Sequence, residues 1–361
     1  MRIITNITNK SAAQKLRQQT AEVAGYTTAQ KIADDFIDFL NEFHSHSQPY
    51  DDLMDAEFYE QYARILREQS EWGYFNWKTA PDGTPRPTFA PSGAAKSDRE
   101  LYEKIKRSKP DNNPPSINQR NWSALGSQVG GYIQREIMLS ERHFKKLTGK
   151  EPRFKFERTE RNEPAFEHFK KVIHEVDFNG EKFGLNGLPD GILHYVTDDG
   201  EILRVGLEVK SFQKGWSAFK SLNQPKEDHV LQTTVYSEMY GLDYYIILYH
   251  LTYGVDWKRE DIVRNKAFGR YITQDDRNEI LAKFARVTKA ARENTPPPLD
   301  LSTWTYNAYK HSIALSITDE EFALVEGQAK QALKSRLPEW KKRIYTDAYD
   351  YIKSVREGVG E

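Results

Sequence analysis

Cysteine is absent from this chain of 361 residues. Disulfides, thiolate zinc sites, cysteine nucleophiles and Cys-ligated iron–sulfur clusters are therefore excluded. An excess of charge is missing too. Lys and Arg number 52 against 53 Asp and Glu, for a formal net charge of -1. That argues against a general polycation but leaves room for local basic patches. No apolar run is long enough to span a bilayer, so no membrane partner is expected. The opening "MRIITNITNKSAAQKLRQQ" lacks the apolar region of a signal peptide. No G-x-x-x-x-G-K-[ST] motif marks a helicase. The expectation is a soluble protein of the cytoplasm. Tyr, Phe and Trp are plentiful, so the chain can build the core of one large domain with elaborations, or of two domains.

The pattern divides the chain into three regions: 1–118, mainly helical; 119–255, a mixed α/β core; and 256–361, helical again and expected to pack on that core. "TTAQKIADDFIDFLNEF" places Ile32, Phe36, Phe39, Leu40 and Phe43 at helical spacing behind a Thr27/Gln30 capping pair. A second helix is expected from about Asp55 to Trp72. The stretches 79–93 and 108–118 are Pro/Gly- or Pro/Asn-rich loops. From Asn121 a helix leads to "KKVIHEVDF" and "EKFGLNGLPDGILHYV", joined by the hairpin signal Asn179-Gly180. A third strand, "EILRVGLEVKSF", follows Asp198-Asp199-Gly200. Next come a helix with Pro225 near its first turn and the strand "DYYIILYHL". The order is α-β-β-β-α-β. Beyond about Asp256 helices are expected, one opening with a Thr318/Glu321 capping box and one ended or bent at Pro338.

The chemistry lies in the last hairpin. A turn centred near Asp199 pairs Asp190 with Glu208, and directly opposed residues have Cβ atoms roughly 4.5–5.5 Å apart. Two carboxylates that close repel unless a cation lies between them. Lys210 projects from the same face as Glu208, while Leu203, Val205, Leu207 and Val209 take the core face. Hard oxygen ligands suit Mg²⁺ or Mn²⁺. Water activated by such an ion beside a lysine is a nucleophile for phosphodiester hydrolysis. Taken alone, Glu-x-Lys in a strand is also what a solvated ion pair looks like. The opposed Asp190, the flanking Gly187 and Gly191, and the strand order carry the reading further.

"GLPDG…LEVKSF" resembles the signature of the PD-(D/E)XK nuclease superfamily, and Gln232-Thr-Thr-Val-Tyr236 resembles the Q-x-x-x-Y motif of its RecB-like branch, which includes the CRISPR adaptation nucleases. The resemblance implies a restriction-endonuclease-like core with helical N- and C-terminal extensions. Asp190 and Glu208 would hold the metal, with the Val209 carbonyl as a third ligand. Lys210 would orient or deprotonate the water. Gln232 would steady the nucleophile or the lysine, and Tyr236 would contact DNA or pack beneath the site. The branch's upstream G-x-x-x-H histidine is replaced here by glycine in "GSQVG", 126–130. Gln134 and Glu136 are the residues of that helix within reach of the site, with a helix-surface role as the plain alternative. "FAPSGAAKSDRELY" and "PPPLDLSTWTYNAYKHS" resemble the flanks that carry iron–sulfur cysteines in other members. Ser97 replaces one such cysteine, so a cluster-free variant is implied, its ends held by packing around Trp304, Tyr306 and Tyr309.

The segment 142–161 is basic and interleaves Phe154 and Phe156, either for stacking on unpaired bases or for the core. With Arg99, Lys155 and Arg158, then Lys214 and Lys220 beyond the third strand, it gives the candidate DNA contacts. The resemblance implies a metal-dependent DNA nuclease, an exonuclease or end-processing enzyme of recombination, repair or replication. It suits a viral or mobile-element setting, with a recombination or single-strand-binding protein as a candidate partner. The alternative is a nuclease-fold module that binds DNA or protein without cutting.

Overall fold

The computed structural model describes residues 12–71, 86–254, 258–259 and 262–358. Part of the expected 79–93 loop and the expected boundary at Asp256 lie outside them.

Apolar spacing from Ile32 to Phe43 does produce a helix, but a much longer one: α1, Ala12–His44. Thr27 does not cap it. Thr27 lies in mid-helix, where its hydroxyl donates to the Val23 carbonyl at 3.0 Å, and Gln30 donates to Asp34 at 2.9 Å. The helix continues upstream through Gly25, where a Cβ would lie 2.6 Å from the ring of Tyr271. Two more helices precede the core: α2, Asp52–Glu71, and α3, Asp98–Ile105, with Ser97 as its N-cap. Between them lies the short strand β1, Thr88–Phe89. Then comes α4, Ile117–Thr148, which opens on a capping box of Ser116 and Gln119.

The strands fall into two sheets. β3 (Val172–Phe178) and β4 (Glu181–Gly187) are joined through Asn179 and Gly180, both at positive φ (53° and 79°), as this kind of tight turn requires. With β1 they form a three-stranded sheet in the order β1-β4-β3. The expected single strand 181–196 breaks in two. After Gly187 the chain turns at Leu188-Pro189-Asp190, where proline offers no N–H to a ladder, and re-enters as β5, Gly191–Val196, in a second sheet. That sheet has the order β2-β5-β6-β7-β8, with β2 Phe154–Phe156, β6 Ile202–Phe212, β7 Tyr244–Leu251 and β8 Asn265–Tyr271. β6 and β7 are parallel and the other neighbours antiparallel, so the sheet is mixed. The β8 strand is a correction to the expectation of helices alone beyond residue 256.

One face of this sheet, including Leu203, Val205, Leu207 and Val209 of β6, packs under α1, α2 and α4. The other face meets α6 (Glu227–Tyr240), which follows the short α5 (Trp216–Lys220). α7, Gln274–Glu293, joins α6 and the small sheet in a second core. Leu301, Trp304, Ile313 and Ile352 gather in a third core with α8 (Lys310–Ser316), α9 (Asp319–Lys334) and α10 (Glu339–Arg356). The Thr318/Glu321 capping box opens α9 as expected, and Pro338 is the residue before α10. The protein is a mixed α/β fold with helical N- and C-terminal regions.

Candidate active site

The β5–β6 ladder pairs Gly191 with Leu207. One step further out, where β5 gives way to the Leu188-Pro189 turn, Asp190 faces Glu208. The backbone N–H of Val209 donates to Asp190 Oδ2 at 2.7 Å and holds that carboxylate against the strand. A strand residue exchanges N–H and C=O with the same neighbour, so the Val209 carbonyl turns to the same side as its N–H, towards Asp190. On the α6 face of β6, Lys210 Nζ lies 2.5 Å from Glu208 Oε1 and donates to Gln232 Oε1 of α6 at 3.0 Å. One helical turn later, Tyr236 donates its hydroxyl to the Leu188 carbonyl at 2.6 Å and so fixes the turn that carries Asp190. Gly187 makes this possible: a Cβ there would stand 2.9 Å from the Tyr236 ring and 2.8 Å from Pro91. From the opposite side Gln134 of α4 donates to the Asp190 carbonyl at 2.9 Å.

The electrostatics are those of two acids forced together. Burial, and then the negative charge of Glu208, push the Asp190 carboxyl well above the usual carboxylate range, against the Val209 N–H and Lys210. Burial also raises Glu208, with Lys210 opposing. Glu208 is 2% exposed, yet its Oε2 is buried with no hydrogen-bond partner among the described residues. A buried anionic oxygen without a partner is costly, and a divalent ion between Asp190 and Glu208 would supply one. The donor set of two carboxylates and a main-chain oxygen fits Mg²⁺ or Mn²⁺. Among the described residues no group of three or more His, Cys, Asp or Glu side chains could hold a metal ion.

No protein-family model matches this chain, and no curated protein does. Solved structures similar to parts of it include the crystal structure of SSO0001, at TM-score 0.37 and 13% identity over 64% of this chain and 88% of that one. An alkaline exonuclease, LHK-Exo, from Laribacter hongkongensis aligns at TM-score 0.33 and 12% identity, over 58% of this chain and 90% of that one. Its complex with dAMP aligns at TM-score 0.33 and 11% identity, over 58% and 89%.

Asp190, Glu208, Val209, Lys210, Gln232, Tyr236 and Gln134 thus converge. Tyr236, 6% exposed, packs beneath the site. Glu136 points elsewhere: it is buried against His44 Nε2 and Gln48 Nε2, both at 3.1 Å. Of the candidate DNA contacts, Lys155, Lys214 and Lys220 are exposed. Arg158 pairs with Glu141. Phe154 and Phe156 are 0% and 2% exposed in the core, which rules out base stacking. Arg99 is a correction. It is wholly buried, bound to Glu103 at 3.0 Å, Glu321 at 3.1 Å and the Pro297 carbonyl at 3.2 Å, and no phosphate can reach it.

Two neighbours of the site were not singled out from sequence. Glu167 accepts from Tyr62 at 3.1 Å and from Gln134 at 3.4 Å, and its charge adds to the upward push on Asp190. It sits at φ 43°, a left-handed conformation that no local motif announces. His229 lies one turn before Gln232, and that spacing on one helix face was a usable signal.

Proposed function

We propose that this protein is a divalent-metal-dependent DNA nuclease that hydrolyses phosphodiester bonds, acting as an exonuclease or on DNA ends. The observation that carries the reading is the unpartnered Glu208 Oε2 beside Asp190, with Lys210 on the same face. Bound by Asp190, Glu208 and the Val209 carbonyl, Mg²⁺ or Mn²⁺ would polarise the phosphoryl group and acidify water. The chain's own groups do the rest. Lys210 Nζ orients the attacking water and stabilises the charge that develops on phosphate. Gln232 fixes the lysine through its 3.0 Å hydrogen bond. The Val209 N–H keeps Asp190 in one orientation, and Tyr236 anchors the turn beneath it. The exposed Lys214 and Lys220, just past the site, supply phosphate contacts for the strand.

The test is a time course on end-labelled and circular DNA, single- and double-stranded, with Mg²⁺ and with Mn²⁺. Wild-type protein should degrade linear substrates, while Asp190→Ala and Lys210→Ala should not. Intact DNA in every lane would refute the reading. A second reading, a nuclease-fold module that binds without cutting, draws on the Lys210–Glu208 ion pair, which already neutralises one acid at 2.5 Å. Mn²⁺ titration separates the two: the module takes up no ion through Asp190 and Glu208.

A further inference from the structure

His229 lies on α6 one turn before Gln232, and nothing in the reaction above uses it. Its Nδ1 is 2.7 Å from the hydroxyl of Tyr249. That hydroxyl accepts the N–H of Lys226 at 2.9 Å, which leaves its own proton free to be donated to His229 Nδ1. The ring of a neutral histidine then carries its own proton on Nε2. Burial, and then the charge of Lys210, push His229 down to about 4, which keeps the ring neutral near pH 7. Tyr249 is the register partner of Lys210 across the parallel β6–β7 pair, so both side chains project from the face that α6 covers. The ring that Tyr249 orients therefore sits within reach of the Lys210 field. Its Nε2–H has no hydrogen-bond acceptor among the described residues. Asp228 Oδ2, at 3.7 Å, is too distant.

This is an oriented, uncharged donor beside a cation. A second positive charge there would repel Lys210, whereas a neutral N–H adds a hydrogen bond to an anion without doing so. We infer that His229 is a phosphate-binding residue of this site, its Nε2–H donating to a non-bridging oxygen of a DNA phosphate that also meets Lys210. The inference rests on the nuclease reading and names how that site grips its substrate. Tyr249 is the positioning residue, because it sets which ring nitrogen carries the proton.

The experiment uses the full chain as wild type, His229→Ala, His229→Gln and Asp190→Ala. Affinity for a single-stranded oligonucleotide is measured in Ca²⁺, turnover of the same oligonucleotide in Mn²⁺, and thermal midpoints in parallel. A hydrogen bond to a charged oxygen predicts that His229→Ala weakens binding and lowers kcat/KM by roughly tenfold to a hundredfold. His229→Gln, which keeps an N–H donor at similar reach, should restore most of both. Wild-type behaviour in His229→Ala would overturn the inference. So would a His229→Gln protein as impaired as His229→Ala, because that pattern marks a merely structural histidine. If wild type binds the oligonucleotide but cuts no better than Asp190→Ala, the nuclease reading fails, and the binding measurements still decide His229.

Discussion

Glu208 Oε2 is buried with no hydrogen bond among the described residues, and such burial destabilises a carboxylate unless something positive arrives. Glu208→Gln keeps the shape and removes the charge. The expected outcome is complete loss of Mn²⁺ uptake by calorimetry, nuclease activity down by at least about a hundredfold, and a metal-free thermal midpoint no lower than that of wild type. A large fall in that midpoint would mean that the Lys210 pair had been supporting the fold. His229 gives a pH prediction with a definite sign. Its folded pKa, about 4, lies below the ordinary histidine value of 6.5, so the unfolded chain takes up the proton first. The stability tied to the neutral ring is present above about pH 6.5 and is lost as pH falls towards 4. His168 and His250, also lowered by burial, act in the same direction. Unfolding curves of wild type and His229→Gln isolate the contribution of His229. The wild type should lose stability relative to the variant across that window, and parallel curves would show that the ring titrates alike in the folded and the unfolded chain.

α1 belongs to the central core, where Ile32, Phe36, Phe39, Leu40 and Phe43 are each at most 4% exposed. At roughly 2 kcal/mol per buried side chain, these five contribute about as much as the whole net stability of a typical domain. Deleting residues 1–81 should therefore give insoluble or unfolded protein, and Phe36→Ala should cost about 3–5 kcal/mol in denaturant titration. A soluble, active deletion product would show α1 to be an accessory. Gly269 of β8 makes the same point from the sheet, since a Cβ there would lie 1.9 Å from the Ala29 carbonyl of α1. The facing of Asp190 and Glu208 was legible in sequence, because a turn centre and a period of two fix a register. So was the apolar face from Leu203 to Val209. The break at Leu188-Pro189 was not, because Glu181–Val196 keeps one alternation on both sides of it and only tertiary pairing sends the halves to different sheets. β8 was hidden by its composition: "NKAFGRY" has little apolar alternation, and its burial comes from α1, more than 200 residues away in the chain. Thr27 looked like a cap because its spacing to Gln30 suits one, and only the upstream turns of α1 make it an interior residue.

The whole molecule is tied together by polar contacts between the segment around α3 and the segment that leads into the C-terminal helices. Arg99, with no exposed surface, binds Glu103 of its own helix and reaches across to the Pro297 carbonyl, Ser316 and Glu321. Nearby, Asp111 accepts from the backbone N–H groups of Lys310 and His311, each at 3.0 Å, and its own N–H donates to the Ala308 carbonyl at 2.8 Å. Arg99 stood among the candidate DNA contacts of the sequence, in the segment that resembles a family flank. Its burial depends on helices that begin some 200 residues later. The C-terminal helices have their own core around Trp304 and Ile352, so they need not melt when this link is cut. Arg99→Ala would leave Glu103, 4% exposed, without its main partner. Breaking a buried ion pair in this way costs about 3–5 kcal/mol, and the cost should fall on the junction. Limited proteolysis of the variant should then cleave within 294–300, the Asn-Thr-Pro-Pro-Pro-Leu-Asp connection. It should leave fragments that still show helical and sheet signals by circular dichroism, and Mn²⁺ uptake through Asp190 and Glu208 should persist. Global unfolding in a single transition, with no discrete fragment, would show instead that the C-terminal helices and the mixed sheet form one cooperative unit and that Arg99 serves the whole of it.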